Sequence, residues 1–217
     1  MNMEKLQEQL KIYEEKLLYW NEQINLTAIK EPSEIKVKHF EDSLTILKHI
    51  NIPEGESFID IGTGAGFPGM VIKLARPDLN VTLLDGHKKR FIFLEDLQQT
   101  LGVKCNNIHG RAEEAVKNMR EQFYIATARA VAPLNVLSEY CLPYVKVGGY
   151  FVAMKAEIKE ELEAAKKAIK TLGGEIERIE TFRLRDQSLR TIIFIKKISQ
   201  TPPKYPRISA KITKQPL

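Results

Sequence analysis

The sequence lacks most features of secreted, membrane and metal-dependent proteins. Its 217 residues include only two cysteines, Cys105 and Cys141, which are too few for a disulfide scaffold and lack the spacing of a zinc site. The N-terminus has no apolar signal core, and no run approaches the ~18 apolar residues of a membrane span. His49, His87 and His109 show no metal-ligand spacing. We therefore expect a cytoplasmic protein that has no membrane segment and binds no metal.

Acidic residues are absent from one end of the chain. Residues 187–217 contain seven lysines and arginines but no aspartate or glutamate, although the formal charge of the whole chain is only +5. The remaining 186 residues therefore have a net charge of −2. A positive segment on a slightly acidic chain indicates a polyanionic partner, and a merely solvated tail is the alternative.

The apolar pattern divides the chain into three parts. Helical spacing predicts one helix over residues 3–20 and another from Pro32 to about Ile50, and a turn follows at residues 51–55. Strands and helices then alternate, which predicts an α/β fold with a doubly wound, Rossmann-like, seven-stranded sheet whose last two strands form an antiparallel hairpin. The predicted parts are an N-terminal helical subdomain (residues 1–52), the sheet domain (53–199) and a basic C-terminal tail (200–217).

The sheet domain is predicted in more detail from the same pattern. The predicted strands cover residues 57–61, 81–85, 106–109, 124–128, 149–155, 175–184 and 189–198. One predicted helix follows the first strand and ends near residue 75. The others cover residues 87–101, 111–120, 134–141 and 157–172.

A glycine cluster follows the first predicted strand. Asp60 ends that strand, and Gly62, Gly64 and Gly66 follow at alternate positions before a helix begins. Glycines let the backbone approach a ligand closely, and the helix N-terminus supplies free N–H groups. A dinucleotide fingerprint would have its third glycine where Phe67 stands, and no phosphate-binding Gly-Lys-Ser/Thr string occurs.

The second predicted strand ends in Asp85, nineteen residues after Gly66. A carboxylate at this position can accept hydrogen bonds from both hydroxyls of a ribose. The acidic residues near the ends of the first two strands, Asp60 and Asp85, together with the glycine loop, fit S-adenosylmethionine better than NAD. A tight turn with a capping aspartate is the structural alternative.

Two further strings lie at the predicted carboxyl edge of the sheet, where ligands of open α/β sheets bind. Residues 110–113 follow the third strand, and their backbone amides, including those of Ala112 and Glu113, can reach an adenine. Arg129 follows the fourth strand and can pair with the methionine carboxylate or with an acceptor phosphate. Alternatively, Arg111 and Glu113 are ordinary residues of a helix N-terminus.

Several strings are more specific than the glycines, which all related methyltransferases share. The most specific are residues 25–29 and the Phe67-Pro68-Gly69 ending of the glycine loop. Others are residues 39–44, 84–85 with 88–90, 110–113, 128–132, 148–155 and 206–217. Together they resemble one family almost end to end: the bacterial small-subunit ribosomal RNA methyltransferases that modify a guanine at N7, also called glucose-inhibited division protein B.

The resemblance implies a class I S-adenosylmethionine-dependent methyltransferase fold with an N-terminal helical extension. It implies methylation at N7 of a guanine in 16S rRNA, presented as naked RNA or in a small-subunit particle. It also implies cofactor contacts at Gly62, Phe67, Ala112, Glu113 and Arg129. Departures from the family pattern are Gly86 for Ser or Ala, Ala156 for Gly, Ala210 for Gly and Ile212 for Pro.

The acceptor atom decides what chemistry the protein needs. Guanine N7 has a free lone pair and no proton to remove, so attack on the sulfonium methyl needs no general base. No Asn/Asp-Pro-Pro-Tyr/Phe string, typical of exocyclic-amine methylation, follows the fourth strand, and Cys141 is expected to be a packed thiol. We therefore expect catalysis by placement and assign no catalytic residue; Asp42 and Glu113 are the carboxylates of interest.

RNA binding is predicted from charge. The predicted phosphate contacts are Lys88, Lys89, Arg90, Lys204, Arg207, Lys211 and Lys214, and such contacts make affinity fall with salt. His39, Phe67 and Tyr205 are candidates for stacking on an extruded base. Two other functions stay open: a small-molecule methyltransferase, which would not need the basic tail, and a non-catalytic RNA-binding or cell-division factor, which would not need the glycine loop.

Overall fold

A seven-stranded sheet forms the centre of the computed structural model, which describes residues 2–129, 132–158 and 161–217. The strand order is β3-β2-β1-β4-β5-β7-β6. The strands are β1 (Ser57–Ile61), β2 (Asn80–Asp85), β3 (Asn106–His109), β4 (Phe123–Ala128), β5 (Val145–Lys155), β6 (Gly174–Arg183) and β7 (Leu189–Lys197). The first five are parallel, and β7 is antiparallel to both β5 and β6. The predicted doubly wound sheet with a terminal hairpin is confirmed.

Helices cover both faces of the sheet because its strands are apolar on both sides. Successive residues alternate between two hydrophobic cores: Phe58 belongs to one core and Ile59 to the other. The first core includes α4 (Gly69–Ala75) and α5 (Lys88–Leu101), and the second includes α6 (Ala112–Ala115), α7 (Leu134–Cys141) and α8 (Glu161–Thr171). No helix in the described ranges is long and apolar enough to cross a membrane.

The N-terminal region packs onto the first core. Helix α1 (Met3–Asn21) buries Leu6, Tyr13 and Leu17 there. A second helical region contains α2 (Pro32–Ile35), a π-helical stretch (Lys36–Glu41) and α3 (Asp42–His49). Both helices were predicted, but the π-helical stretch was not, because an apolar spacing does not reveal one inserted residue. The boundary near residue 52 remains a prediction, since the apolar core is continuous across it.

Three of the predicted helices and strands have different bounds in the structure. The helix predicted over residues 111–120 is reduced to α6 and a 3-10 turn, Val116–Asn118. Strand β5 begins at Val145, and a register shift with β4 places Gly148, at φ +89°, inside the strand instead of before it. The helix predicted over residues 157–172 is described as α8, and its residues 159 and 160 lie outside the described ranges.

The segment predicted as a basic tail packs against the body of the protein. Tyr205 and Ile212 are buried, and residues 209–214 form a short helix, α9 (Ser209–Lys214). The Arg120 guanidinium donates to the carbonyl oxygens of Thr201 and Tyr205 at 2.6 and 2.8 Å. A merely solvated tail was the alternative to a polyanion-binding segment, and these tertiary contacts give the segment a fixed course instead.

Candidate active site

The glycine loop lies where β1 leads into α4. Gly62, Gly64 and Gly66 have φ angles of +73°, +60° and +91°, a left-handed conformation that favours glycine. A Cβ on Gly62 would meet no atom within 4 Å, whereas one on Gly66 would lie 2.5 Å from the Tyr13 hydroxyl oxygen. Gly62 therefore borders open space for a ligand, and Gly66 is required by packing.

Asp60 is a buried carboxylate beneath this loop. Its Oδ2 accepts hydrogen bonds from the Thr63 hydroxyl at 2.6 Å and from the Gly69 N–H at 2.8 Å. Its Oδ1 has no hydrogen-bond partner within the described part of the chain. Burial raises the pKa of Asp60 to about 6, although the two hydrogen bonds oppose the rise. Because this oxygen is buried, the largely ionised carboxylate favours a positive charge nearby.

Asp85 is the last residue of the neighbouring strand, β2. Its Oδ2 accepts from the Gly64 N–H at 2.9 Å and from Arg90 Nη1 at 2.7 Å, and its Oδ1 accepts from the His87 N–H at 2.8 Å. The His87 ring nitrogen Nδ1 lies 3.1 Å from the same Oδ1. Burial alone would raise the pKa of Asp85, but the hydrogen bonds outweigh it and hold the pKa below its usual range.

A cleft of about 280 Å³ opens at this edge of the sheet. Four of the predicted cofactor residues line it: Gly62, Asp85, Ala112 and Glu113. Its other walls include Gly86, His87, Arg90, Arg111, Leu137, Tyr140 and Ser209. The strand-end rule could have found His87 and Arg111. No sequence signal brings Tyr140 and Ser209 together; their hydroxyl oxygens lie 2.8 Å apart and join α7 to α9.

The remaining predicted cofactor residues lie away from the cleft wall. The Gly64 N–H and the buried Gly66 support the loop. The Phe67 ring is 4% exposed and stacks between Tyr13 and His39, with centroid distances of 5.1 and 4.3 Å. Arg129 follows β4, and its guanidinium lies 5.1 Å from the Phe67 ring centroid. A role in cofactor binding remains a prediction for each, and residues 130 and 131 of the same string lie outside the described ranges.

The predicted RNA contacts fall into two groups. Arg90 pairs with Asp85, and Arg207 forms two hydrogen bonds to the buried carboxylate of Glu139, at 2.8 and 2.6 Å. The others are exposed lysines that form no ion pair with a described residue: Lys88, Lys89, Lys204, Lys211 and Lys214. The exposed lysines are therefore free for phosphate, whereas Arg207 holds the C-terminal segment in place.

The proposed stacking surfaces are not accessible. The side chains of His39, Phe67 and Tyr205 are all buried, because each packs into the interior of the protein. The hypothesis that an extruded base stacks on these rings is therefore wrong. Gly86, by contrast, is a mild departure from the family pattern, because a Cβ there would lie 3.5 Å from the Arg111 side chain, an ordinary contact.

Solved structures with the same fold include a methyltransferase and a protein bound to AdoMet. The precorrin-6y C5,15-methyltransferase of Geobacter metallireducens has a TM-score of 0.56 and 14% identity, over 72% of this chain and 88% of that chain. TYW2 of M. jannaschii, solved in complex with AdoMet, has a TM-score of 0.58 and 13% identity, over 74% and 76%. At this identity the likeness concerns the fold, and it confirms the predicted class I methyltransferase architecture.

Similarity over the whole chain is more specific. The family model described as GidB, rRNA small subunit methyltransferase G, matches residues 6–193. The ribosomal RNA small subunit methyltransferase G of Thermoanaerobacter sp. (strain X514) is 50% identical over 206 residues, covering 93% of this chain and 86% of that protein. The protein of the same name from Bacillus subtilis (strain 168) is 47% identical over 215 residues, covering 97% and 90%. The chain therefore belongs to the rRNA small subunit methyltransferase G family, as its motifs predicted.

Proposed function

We propose that this protein transfers a methyl group from S-adenosylmethionine to N7 of one guanine in 16S rRNA. S-adenosylmethionine-dependent methylation of small-subunit rRNA is the activity of the family to which the chain belongs. The choice of N7 is the finer part of the proposal. The observation that carries methyl transfer to RNA is a cleft at the carboxyl edge of the sheet, lined by predicted cofactor residues and bordered by elements that also present exposed lysines. The choice of N7 rests on the family resemblance of the sequence motifs.

The residues around the cleft fit S-adenosylmethionine. Open space beside Gly62 leaves room for the donor, and the negative charge of Asp60, buried beneath the loop, favours a donor that carries positive charge. Asp85 would bind the ribose hydroxyls. A carboxylate offers about four acceptor positions, and three N–H donors together with the His87 ring nitrogen already surround Asp85. The ribose would therefore displace the exposed His87 ring or the Arg90 guanidinium. Backbone groups near Ala112 and Glu113 would border the adenine.

Bound S-adenosylmethionine supplies an electrophilic methyl group, and the protein needs only to align the acceptor with it. Holding two reactants in line is worth roughly 7–11 kcal/mol at best. The N7 lone pair carries no proton, so no general base is required. Burial raises the pKa of Cys105 to about 12 and also raises that of Cys141, so neither thiol suits the nucleophilic role that pyrimidine C5 methylation needs.

The charge that develops on the purine limits which side chains can lie against it. Because the ring becomes positive as the methyl arrives, a carboxylate or carbonyl stabilises it and a bare cation does not. Glu113 lines the cleft, but at the end assigned to the adenine, so no carboxylate is assigned to the acceptor purine. Asp42 is already paired with Arg129 and Arg190, at 3.2 and 3.1 Å, and is better explained as a structural partner of these cations.

The exposed lysines suit RNA that crosses the mouth of the cleft. Lys88 and Lys89 begin α5, directly after His87 in the cleft wall. Lys211 and Lys214 lie on α9, whose first residue, Ser209, is also in that wall. We also propose a cytoplasmic location, because bacterial ribosomal RNA is transcribed and assembled there.

Transfer of tritiated methyl groups tests this function. Incubation with unmethylated 16S rRNA, and separately with small-subunit particles, should label the RNA at an alkali-labile 7-methylguanine. The more active substrate identifies whether naked RNA or the particle is recognised. Label at another position would overturn the N7 proposal, and label confined to small metabolites would favour a small-molecule methyltransferase. Absence of cofactor binding in calorimetry would favour a non-catalytic RNA-binding protein.

A further inference from the structure

The guanidinium of Arg129 is held by the second helical region, residues 32–49. Its Nη1 donates to the Lys38 carbonyl oxygen at 2.9 Å and to Asp42 Oδ2 at 3.2 Å, and its Nη2 lies 2.9 Å from His39 Nδ1. These bonds use three of the five N–H donors of the side chain. The other two have no partner among the residues that the structure describes, so they remain for a ligand.

The contact with Arg129 fixes the proton of His39. Because arginine can only donate, His39 Nδ1 is the acceptor, and the single proton of the neutral ring is on Nε2. That nitrogen lies 2.8 Å from Thr27 Oγ1, to which it donates. Burial and the charge of Arg129 lower the pKa of His39 to about 3, so the ring stays neutral at working pH.

Thr27 itself is held firmly in the loop after α1. The Asn21 carboxamide oxygen accepts from the N–H groups of Leu26 and Thr27 at 2.8 and 2.9 Å, and its nitrogen donates to the Thr27 carbonyl at 3.0 Å. A continuous set of hydrogen bonds therefore runs from this loop through His39 to the end of β4. It gives a role to the specific strings 25–29 and 39–44, which the cofactor and RNA contacts leave unexplained.

Asp42 binds a second arginine besides Arg129. Asp42 accepts from Arg129 on one oxygen and from Arg190 Nε on the other, so one carboxylate serves two guanidiniums. The His39 ring also stacks on Phe67 of the glycine loop, at 4.3 Å between centroids with 12° between planes. The same histidine thus contacts both the arginine and the loop that border the donor.

We propose that Thr27, His39 and Asp42 are positioning residues that hold Arg129 ready for the carboxylate of S-adenosylmethionine. This inference rests on the proposed function and adds that Arg129 binds this carboxylate, which is one of the two ligands predicted for its side chain from the sequence. A free arginine side chain loses rotamer freedom when it binds, and the network removes that loss before the cofactor arrives. The N-terminal region is therefore a functional part of the site as well as a packing element.

Two substitutions of one residue separate this role from packing. His39→Asn keeps an acceptor near the position of Nδ1, whereas His39→Gln places its polar group near Nε2 and loses the acceptor for Arg129. Both substitutions remove the ring that stacks on Phe67, so both lose the same stacking contact. We expect calorimetry to give a cofactor Kd about tenfold higher for His39→Gln than for His39→Asn, with similar melting temperatures. Equal Kd values would overturn the proposal.

A double-mutant cycle asks whether His39 acts through Arg129. Arg129→Gln alone should weaken cofactor binding by about tenfold or more, and adding His39→Gln should weaken it by less than about twofold further. Full additivity of the two effects would overturn the positioning role while leaving Arg129 as a cofactor ligand. Unchanged cofactor affinity in Arg129→Gln, with weaker RNA binding, would instead show that Arg129 binds a phosphate and overturn both assignments.

A milder variant covers the case in which His39 variants fail to fold. Thr27→Val removes the acceptor for His39 Nε2–H at constant side-chain shape, and cofactor Kd should rise about three- to tenfold. Thr127→Val is the control, because its buried hydroxyl donates to the Val152 carbonyl at 2.9 Å on the strand that leads to Arg129. Thr127→Val should leave the Kd unchanged, and an equal effect of both substitutions would contradict the network.

Discussion

At the residue scale, Asp60 combines full burial with one carboxylate oxygen that lacks a partner in the described chain. Its folded-state pKa of about 6 exceeds the ordinary 3.8, so the folded protein binds a proton more tightly than the unfolded chain does. The stability that the tighter proton binding of Asp60 contributes is complete below about pH 3.8 and is lost as the pH rises through 6.

Asp60→Asn tests whether the stability falls in this way as the pH rises. The amide oxygen can still accept from Thr63 and Gly69, but the side chain no longer titrates. We expect the free energy of unfolding of the wild type, relative to Asp60→Asn, to fall by about 2 kcal/mol between pH 4 and pH 7. Urea denaturation of both proteins at the two pH values measures it. A difference that does not change with pH would show that Asp60 has an ordinary pKa.

Asp85 is the second residue on which cofactor binding depends. Asp85→Ala should raise the cofactor Kd by about 10- to 100-fold, since hydrogen bonds from ribose hydroxyls to a charged acceptor are lost. RNA retention should stay near the wild-type level. Asp78→Ala is the matched control, because it removes a paired carboxylate just before the same strand, far from the cleft. Weaker RNA binding with normal cofactor affinity would refute the ribose assignment.

At the scale of elements, the C-terminal segment is attached through a buried ion pair. Glu139 is fully buried and accepts from the Arg207 guanidinium and from the Arg207 N–H at 2.8 Å. Arg207→Met should destabilise the protein by about 3–5 kcal/mol, because the glutamate loses its charged partner. Urea denaturation measures the loss, and Glu139→Gln combined with Arg207→Met should recover part of it. A loss below about 1 kcal/mol would show that the pair contributes like a surface contact.

The lysines of α9 should act on RNA and leave stability unchanged. Replacing Lys211 and Lys214 by Gln should reduce the slope of log K against log salt by up to about 2, since each phosphate contact contributes about 0.7–0.9. Filter binding to 16S rRNA at several salt concentrations measures the slope. Lys167 and Lys170, exposed on α8, provide a control pair of the same charge. An unchanged slope for the α9 variant would exclude this helix from the RNA contact.

At the scale of the whole molecule, the N-terminal helices and the sheet share one hydrophobic core. Trp20, the only tryptophan, lies on α1 and donates to Asp96 of α5 at 2.7 Å. We therefore expect its fluorescence and the far-UV circular dichroism to report one coincident urea transition. A fluorescence transition at lower urea would instead establish residues 1–52 as a separately folding subdomain.

Local patterns predicted the parts of the molecule that local chemistry determines. The ends of β1 and β2, the glycine loop and the packed state of Cys141 follow from spacing, glycine conformation and burial of apolar residues. The fixed course of the C-terminal segment did not follow, because it depends on Glu139 and Arg120, which are far away in sequence. Tyr140 and Ser209 escaped notice for the same reason, as did the contacts between His39 and Arg129.

The proposed function requires that the cleft beside Gly62 and Asp85 binds the methyl donor. A crystal structure with S-adenosylhomocysteine decides this. We expect the ribose hydroxyls to contact the Asp85 carboxylate, the adenine to lie beside Ala112, and the carboxylate of the amino acid to pair with Arg129. Ligand density in any other part of the molecule, or none at saturating concentration, would contradict it.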